Sequence, residues 1–289
     1  MNYNYGMYLC IDIGGTKTLI ALFSQTGDLL NSIKFPTNQN IDNFETDLTT
    51  QLSHLFTKQS SDTPVHAVSV GVAAPLENGQ PIFFPNLAWP KNHHLKSRLK
   101  NCLKSLASAL PGFKSIASTP IYFINDANSS AMFEAQDFSG TSIFLTFSTG
   151  VGGGIVQDGQ LSPNSDLFEP GHWHYSYKSQ KDAEWEHIAS ANALLRDYGQ
   201  IASEITGKDA FQDIVSRAAL GIVDIIQEFH PDRLIIGGAL GPQLTNIKPY
   251  LTKILKQSLS DTKLPDIIPA KSPFESVIHG CFLYGKSQS

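Results

Sequence analysis

Several short stretches of this sequence carry side chains that chemistry, rather than packing, would select. In LCIDIGGTKTLIALFSQTGDLL, residues 9 to 30, Asp12, Gly14, Gly15, Thr16 and Lys17 stand between two apolar runs. A plain hairpin accounts for the glycines, because glycine takes positive φ at little cost. It does not account for Asp12, whose carboxylate would be costly to bury unpaired, nor for a hydroxyl and a cation at the turn. Those groups suit a phosphate: backbone N–H groups and a point charge for the oxygens, with a carboxylate for a metal ion.

Asp126, in PIYFINDANSSAMFEAQ, stands where an apolar strand gives way to a helix. Asp is a favoured helix N-cap. The same carboxylate, at a strand end facing a cleft, could take the proton of a hydroxyl attacking a phosphoryl group. In TFSTGVGGG, residues 146 to 154, Ser148, Thr149 and Gly150 offer hydroxyls and open backbone amides to phosphate. In IIGGALG, residues 235 to 241, Gly237 and Gly238 lie between strand and helix, where backbone can approach a flat ligand such as adenosine. FEPGHWHYSY brings Glu169, His172 and His174 together, although no third strong metal ligand follows at the usual spacing. Glu184 and Glu186, in AEWEHIAS, fall near a helix start, where acids are favourable in any case. FPNLAWP, with Asn86, reads as a proline-bounded loop. Each stretch taken singly has a structural explanation of comparable weight.

Positioning such groups requires a substantial scaffold, and the chain is long enough to supply one. At 289 residues it exceeds the size at which one core usually stops growing, so two lobes are expected. A formal charge of −5, a pI near 6.0 and the lack of a Lys/Arg run argue against a nucleic-acid or anionic-membrane surface. The widely spaced Cys10, Cys102 and Cys281 fit a reducing compartment better than a disulfide framework. MNYNYGMYLCIDIGG lacks the features of a secretory signal, and no apolar run is long enough to cross a bilayer. The expected location is cytoplasmic.

Residues 9 to 30 and IFLTFSTGVGGGIVQDGQL, residues 143 to 161, follow one plan: strand, glycine turn, second strand, tight Gly-Asp or Asp-Gly turn. A duplicated unit opening each half of the chain is expected, with facing turns at one cleft. Helices are expected over NIDNFETDLTTQLSHLFTKQ, HHLKSRLKNCLKSLASAL, EWEHIASANALLRDYGQIA, DAFQDIVSRAALGIVDIIQEF and PQLTNIKPYLTKILKQSL, and a buried strand over HAVSVGVAAPLENG. Residues 162 to 183 read as loop. Strands alternating with helices define an α/β class.

The ordered set DIGGTK, GVAAPLENG, FPNLAW, NDAN, STGVGGG, EPGH, EWEHIAS and IIGGALG resembles the ROK family (repressors, open reading frames and sugar kinases) across nearly the whole chain. The resemblance implies a two-lobed, actin-like ATPase (ribonuclease H-like) fold with a central cleft. It places one lobe at residues 1–124, completed by a C-terminal helix at 275–289, and the other at 125–274. It also implies ATP and Mg²⁺ as cofactors, with Asp12 holding Mg²⁺ through water. Residues 12 to 17 become the first phosphate motif, residues 148 to 154 the second, and Gly237-Gly238 the adenosine motif. Asn125 and Asp126 become the sugar-binding pair, with Asp126 as the base, and Asn86, Glu169, His172 and Glu186 take the remaining sugar hydroxyls. Such side chains suit hydroxyls, which both donate and accept.

Many members follow the Glu-x-Gly-His element with a cysteine-rich zinc site, whereas WHYSYKSQKDAEWE contains no cysteine, so zinc is not expected. Packing or hydrogen bonds, with Trp173, His174 and Tyr175 as candidates, must then hold His172. Only eleven residues precede Asp12, so the helix-turn-helix of the family's repressors is not expected. The implied activity is an ATP-dependent sugar kinase acting on a hexose or N-acetylhexosamine. Glucose is the first expectation, ahead of fructose, N-acetylmannosamine and N-acetylglucosamine. The alternatives are a non-catalytic sugar-responsive binding protein and an ATPase acting on a protein partner. The resemblance suggests a homodimer, for which no stripe in the sequence speaks independently.

Overall fold

The computed structural model describes residues 6–57, 59, 63–260, 262–272 and 275–289. The start of the segment read as lacking a secretory signal and the expected lobe end at residue 274 lie outside the described residues. The chain divides into one unit of Met1–Ser129 with Val277–Ser289 and a second of Ser130–Ser276.

The first unit begins with β1 (Met7–Ile13), β2 (Lys17–Ser24) and β3 (Leu29–Pro36), then α1 (Ile41–Phe56) and β4 (Val65–Val72). A small hairpin, β5 (Leu76–Glu77) and β6 (Gln80–Pro81), precedes α2 (Leu95–Ala109) and β7 (Ile121–Asn125), and α3 (Asp126–Ala135) follows directly. The sheet order is β3-β2-β1-β4-β7, with β1 antiparallel to β2 and parallel to β4, and β4 parallel to β7. Nearly every residue of β1 is buried, as an unbroken apolar run at a sheet centre requires. Leu9, Ile11, Val68 and Val70 form one core with Phe44, Leu48 and Leu52 of α1 and Leu99 and Leu103 of α2. α1 starts at Asn40, whose side chain accepts from the N–H groups of Asp42 and Asn43.

The second unit repeats the plan. Its sheet, β10-β9-β8-β13-β14, is formed by β8 (Thr141–Phe147), β9 (Val151–Gln157), β10 (Gln160–Leu161), β13 (Arg233–Gly238) and β14 (Asp266–Pro269). β8 runs antiparallel to β9 and parallel to β13, matching the first unit strand for strand. The expected duplication is therefore present as one topology used twice. Between β10 and β13 come β11 (His174–Tyr177), β12 (Gln180–Glu184), α4 (Trp185–Ala189), α5 (Ala191–Tyr198) and α6 (Lys208–Phe229). α7 (Leu244–Ser258) follows β13, and α8 (Ser276–Ser287) ends the chain. Ile143, Leu145, Leu234 and Ile236 face a core with α6 and α7, while Phe144 and Ile235 face the opposite side with Ala131 and Ala135 of α3. That alternation is the period of two of a strand.

Three details differ from the sequence reading. The division falls between Ser129 and Ser130, within α3, rather than before Asn125. The first turn of α3 belongs with α8, because Ser129 Oγ donates to the Val277 carbonyl and Gly280 leaves no room for a Cβ beside the Ser129 carbonyl. The stretch read as loop contains the β11–β12 hairpin. Its turn is made by Lys178 at φ 53° rather than by glycine or asparagine, so the usual hairpin signal is missing. The helix expected over residues 184 to 202 breaks at Ser190, whose extended backbone and side chain cap α5 at the Ala193 N–H.

Candidate active site

In the first unit, strand register gathers the candidate groups. Ile13 pairs with Val72, and Val72 with Asn125, so β1, β4 and β7 end level with one another. In open α/β sheets, ligands bind outside these carboxyl ends. The β1–β2 turn, residues 14 to 16, is closed by the Gly14 N–H donating to the Lys17 carbonyl at 3.1 Å. Thr37 Oγ1 donates to the Gly14 carbonyl (2.8 Å) and Gln39 Nε2 to the Gly15 carbonyl (3.0 Å). Thr16 and Lys17 remain exposed.

The turn glycines are present for space rather than for dihedral freedom. Neither Gly14 nor Gly15 has φ in the left-handed range, contrary to the hairpin argument from sequence. A Cβ on Gly15 would instead stand 2.8 Å from the Cβ of Asn86. The 84–90 loop is tied to the same place, with the Ala88 N–H donating to Gln39 Oε1 and Trp89 Nε1 to the Asn38 carbonyl. Asn86 thus lies against the first glycine turn.

At the end of β7, the N-cap role is shared. Asn125 Oδ1 accepts from the N–H groups of Ala127 (2.9 Å) and Asn128 (3.2 Å), and its Nδ2 donates to the Ala74 carbonyl. Asp126 Oδ1 accepts from the Ala127 N–H at 2.9 Å. Asp126 is partly buried and lies close enough to Asp12 for their charges to interact. Burial, and after it the Asp126 carboxylate, pushes the Asp12 carboxyl up to about 7, with Lys34 acting in the opposite direction. A buried carboxyl that resists ionising beside a second acid fits a divalent cation, whose charge would favour the ionised form of Asp12.

In the second unit, the β8–β9 turn carries exposed Ser148 and Thr149. Thr146 Oγ1 and Ser148 Oγ lie 3.0 Å apart, and the Ser148 carbonyl accepts from Ala191 at the start of α5. Register pairs Gly237 with Thr146 and Gly238 with Phe147, which sets the expected adenosine turn beside the expected second phosphate turn. Gly238 has φ +62° and no room for a Cβ against the Phe147 backbone, so both constraints select glycine there.

Glu186, on α4, reaches this turn as well. A Cβ on Gly150 would stand 2.3 Å from Glu186 Oε2, and one on Gly171 would stand 3.3 Å from the same atom. Glu169 is raised by burial and further by the Glu186 and Asp166 charges, with His172 opposing. The structure thereby brings Glu169, His172 and Glu186 together. Glu184, at the start of α4, joins them. His172 Nδ1 lies 3.3 Å from Glu184 Oε1, and donor atoms of His172, Glu184 and Glu186 lie within 4.8 Å of one another, a spacing at which a cation could be held. The sequence spacing had suggested no third ligand.

The paired sheets of identical order, each with a glycine turn beside carboxylate or hydroxyl groups, define an α/β protein of the two-lobed actin-like ATPase fold. The chain belongs to the ROK family, whose model matches residues 8–286. It is 24% identical over 252 residues to a fructokinase of Lactococcus lactis subsp. cremoris, covering 81% of this chain and 79% of that protein. It is also 24% identical over 308 residues to a glucokinase of Halalkalibacterium halodurans, covering 90% and 87%. The crystal structure of a ROK family glucokinase from Streptomyces griseus in complex with glucose and AMPPNP is similar in fold, with TM-score 0.72, 19% identity and 98% and 100% of the two chains covered.

Proposed function

We propose that this protein is an ATP-dependent sugar kinase in which Asp126 is the general base. The observation that carries the reading is the placement of Asp126 at the end of β7, in electrostatic contact with Asp12 at the end of β1 and beside the first glycine turn. The kinase names of the relatives and the glucose and AMPPNP of the related structure support it.

In this reading a sugar hydroxyl oxygen attacks the terminal phosphorus of ATP. The new O–P bond forms as the bond to the ADP oxygen breaks, and the hydroxyl proton passes to the Asp126 carboxylate. Gly14 to Lys17 and Ser148 to Gly150 would offer amides, hydroxyls and one ammonium to phosphate oxygens, and Gly237-Gly238 would give the adenosine room beside the backbone. Asp12 would hold Mg²⁺, which when bound would supply positive charge at the phosphates. Asn86, Asn125, Glu169, His172 and Glu186 read the sugar hydroxyls. Asn125 does so from a fixed position, because its carboxamide is already held by the α3 amides and Ala74.

An ADP-release assay with ATP, Mg²⁺ and, in turn, glucose, fructose, N-acetylmannosamine and N-acetylglucosamine tests the reading. Sugar-stimulated turnover with at least one of them is the expected result. Turnover with none would remove the proposal.

A further inference from the structure

α6 carries an arginine in its apolar face. Arg217 is 5% exposed, among Ile214, Val215, Ala218 and Ile222 of the second core. A buried guanidinium is costly unless its charge and its N–H groups are all met. Nε donates to Asp213 Oδ2 at 2.7 Å, and Nη1 donates to Asp197 Oδ2 at 2.6 Å and to the Ile188 carbonyl at 3.0 Å. Ile188 belongs to α4, the short helix that carries Glu186.

Asp213 in turn holds the β11–β12 hairpin. Tyr177 and Lys178 at the hairpin turn donate to its Oδ1, and Tyr198 of α5 donates to Oδ2. Burial opposes its charge, but these donors together with Arg217 keep the carboxyl well below the usual range. A second attachment lies beside the first: Trp185, fully buried, donates through Nε1 to the Arg217 carbonyl at 2.9 Å, and its backbone N–H donates to the Trp173 carbonyl at 2.7 Å. Gly221 of α6 has no Cβ because the Trp185 ring fills that space. The hairpin turn at Tyr177 and Lys178 and the α4 residues Trp185 and Ile188, which bracket the segment between His172 and Glu186, are thus tied to polar atoms on α6.

We infer that Arg217 and Asp213 are positioning residues for sugar recognition, setting the α4 helix and the β11–β12 hairpin so that Glu186 and His172 stand at their places beside Gly150 and Gly171. The inference rests on the proposed sugar-reading roles of Glu186 and His172. Its chemistry does not require either α6 residue to touch the sugar.

The test compares Asp213→Asn and the milder Tyr177→Phe/Tyr198→Phe pair with wild type and with Arg98→Gln. Arg98→Gln breaks an ion pair with Glu45 in the other unit and serves as a destabilised control. Two quantities are measured: backbone hydrogen exchange over residues 172–187 in the free protein, and KM for sugar and for ATP. The expected result is faster exchange in that segment and a roughly tenfold rise in sugar KM with a much smaller change in ATP KM, absent in the control. Unchanged exchange in both hairpin variants overturns the inference, as does a loss shared equally by both KM values and reproduced by Arg98→Gln. If the wild-type protein turns over none of the sugars, the kinase reading fails on its own, and the exchange measurement still decides whether α6 fixes the segment.

Discussion

The Glu186 carboxylate lies over Gly150, in the space where any other residue would place its Cβ, 2.3 Å from Oε2. Gly150→Ala must therefore displace Glu186, or the turn itself. The atom met is the far end of a flexible side chain, so the cost in stability is small, while displacing Glu186 would remove its proposed sugar contact. The expected outcome is a modestly lower Tm with a roughly tenfold higher sugar KM. Steady-state kinetics on the folded variant checks it, and a wild-type sugar KM would separate Glu186 from sugar recognition.

Gly15→Ala is the corresponding change in the first unit. The added methyl would meet the Asn86 Cβ at 2.8 Å and the Asn86 carbonyl at 3.1 Å. Because Gly15 lies in the expected phosphate turn and Asn86 in the expected sugar set, both the ATP and the sugar KM should rise. A change in only one would show that the turn and the 84–90 loop respond separately.

Asp126→Asn preserves size and keeps an oxygen to accept from Ala127 N–H, the contact Asp126 makes now. Removing a general base of this kind lowers kcat by about 10²–10⁴-fold. Sugar affinity measured by calorimetry should stay within a fewfold of wild type. An Asn variant that retains wild-type kcat would exclude Asp126 as the base.

Much of this arrangement was legible in the sequence, and the parts that were not have identifiable physical reasons. The long apolar runs of β1 and β8, each followed by a glycine turn, announce central strands and duplicated sheets, because few other arrangements bury such runs. β3 and β14 are edge strands with many exposed residues, so they carry weaker hydrophobic patterns. The glycines at 15 and 150 were recognisable as turn residues, but their cause was not: the constraint is a side chain from a distant segment, Asn86 or Glu186, and no local pattern records that. Glu184 pairs with His172 only because Lys178 turns the hairpin with a positive φ that its residue type does not advertise. Arg217 had one readable clue, an acid four residues earlier on the same helix, the spacing of an intrahelical ion pair. The Tyr177, Tyr198 and Asp197 partners come from other elements and could be found only in three dimensions.

The three cysteines offer a simple check on the cores. All three are free and buried, and burial pushes the thiols up, Cys102 to about 11 and Cys281 to about 12. A thiol that is both shielded and protonated reacts slowly, since the thiolate is the nucleophile. Native protein at neutral pH should resist a maleimide reagent at Cys10, Cys102 and Cys281, and all three should react promptly in denaturant. Rapid native labelling of Cys281 would show that α8 detaches from the first unit's sheet.

The raised Asp12 carboxyl makes ligand-free stability depend on pH in a stated direction. Its ordinary value is 3.8 and the folded value is about 7, so the folded state binds this proton more tightly than the unfolded state. The resulting stabilisation is complete below the unfolded value and is lost as pH rises through the folded one, at roughly 1.4 kcal/mol per unit of difference. Wild-type protein should therefore lose Tm relative to Asp12→Asn between about pH 4 and about pH 7, and run parallel to it above about pH 8. Magnesium with a non-hydrolysable ATP analogue should shrink the loss, because a cation beside Asp12 and Asp126 favours the ionised form that burial resists. Thermal unfolding of the two proteins across this range, with and without those ligands, reads the effect without any turnover. A wild-type curve parallel to that of Asp12→Asn over the whole range would mean that Asp12 is not buried beside Asp126 as described.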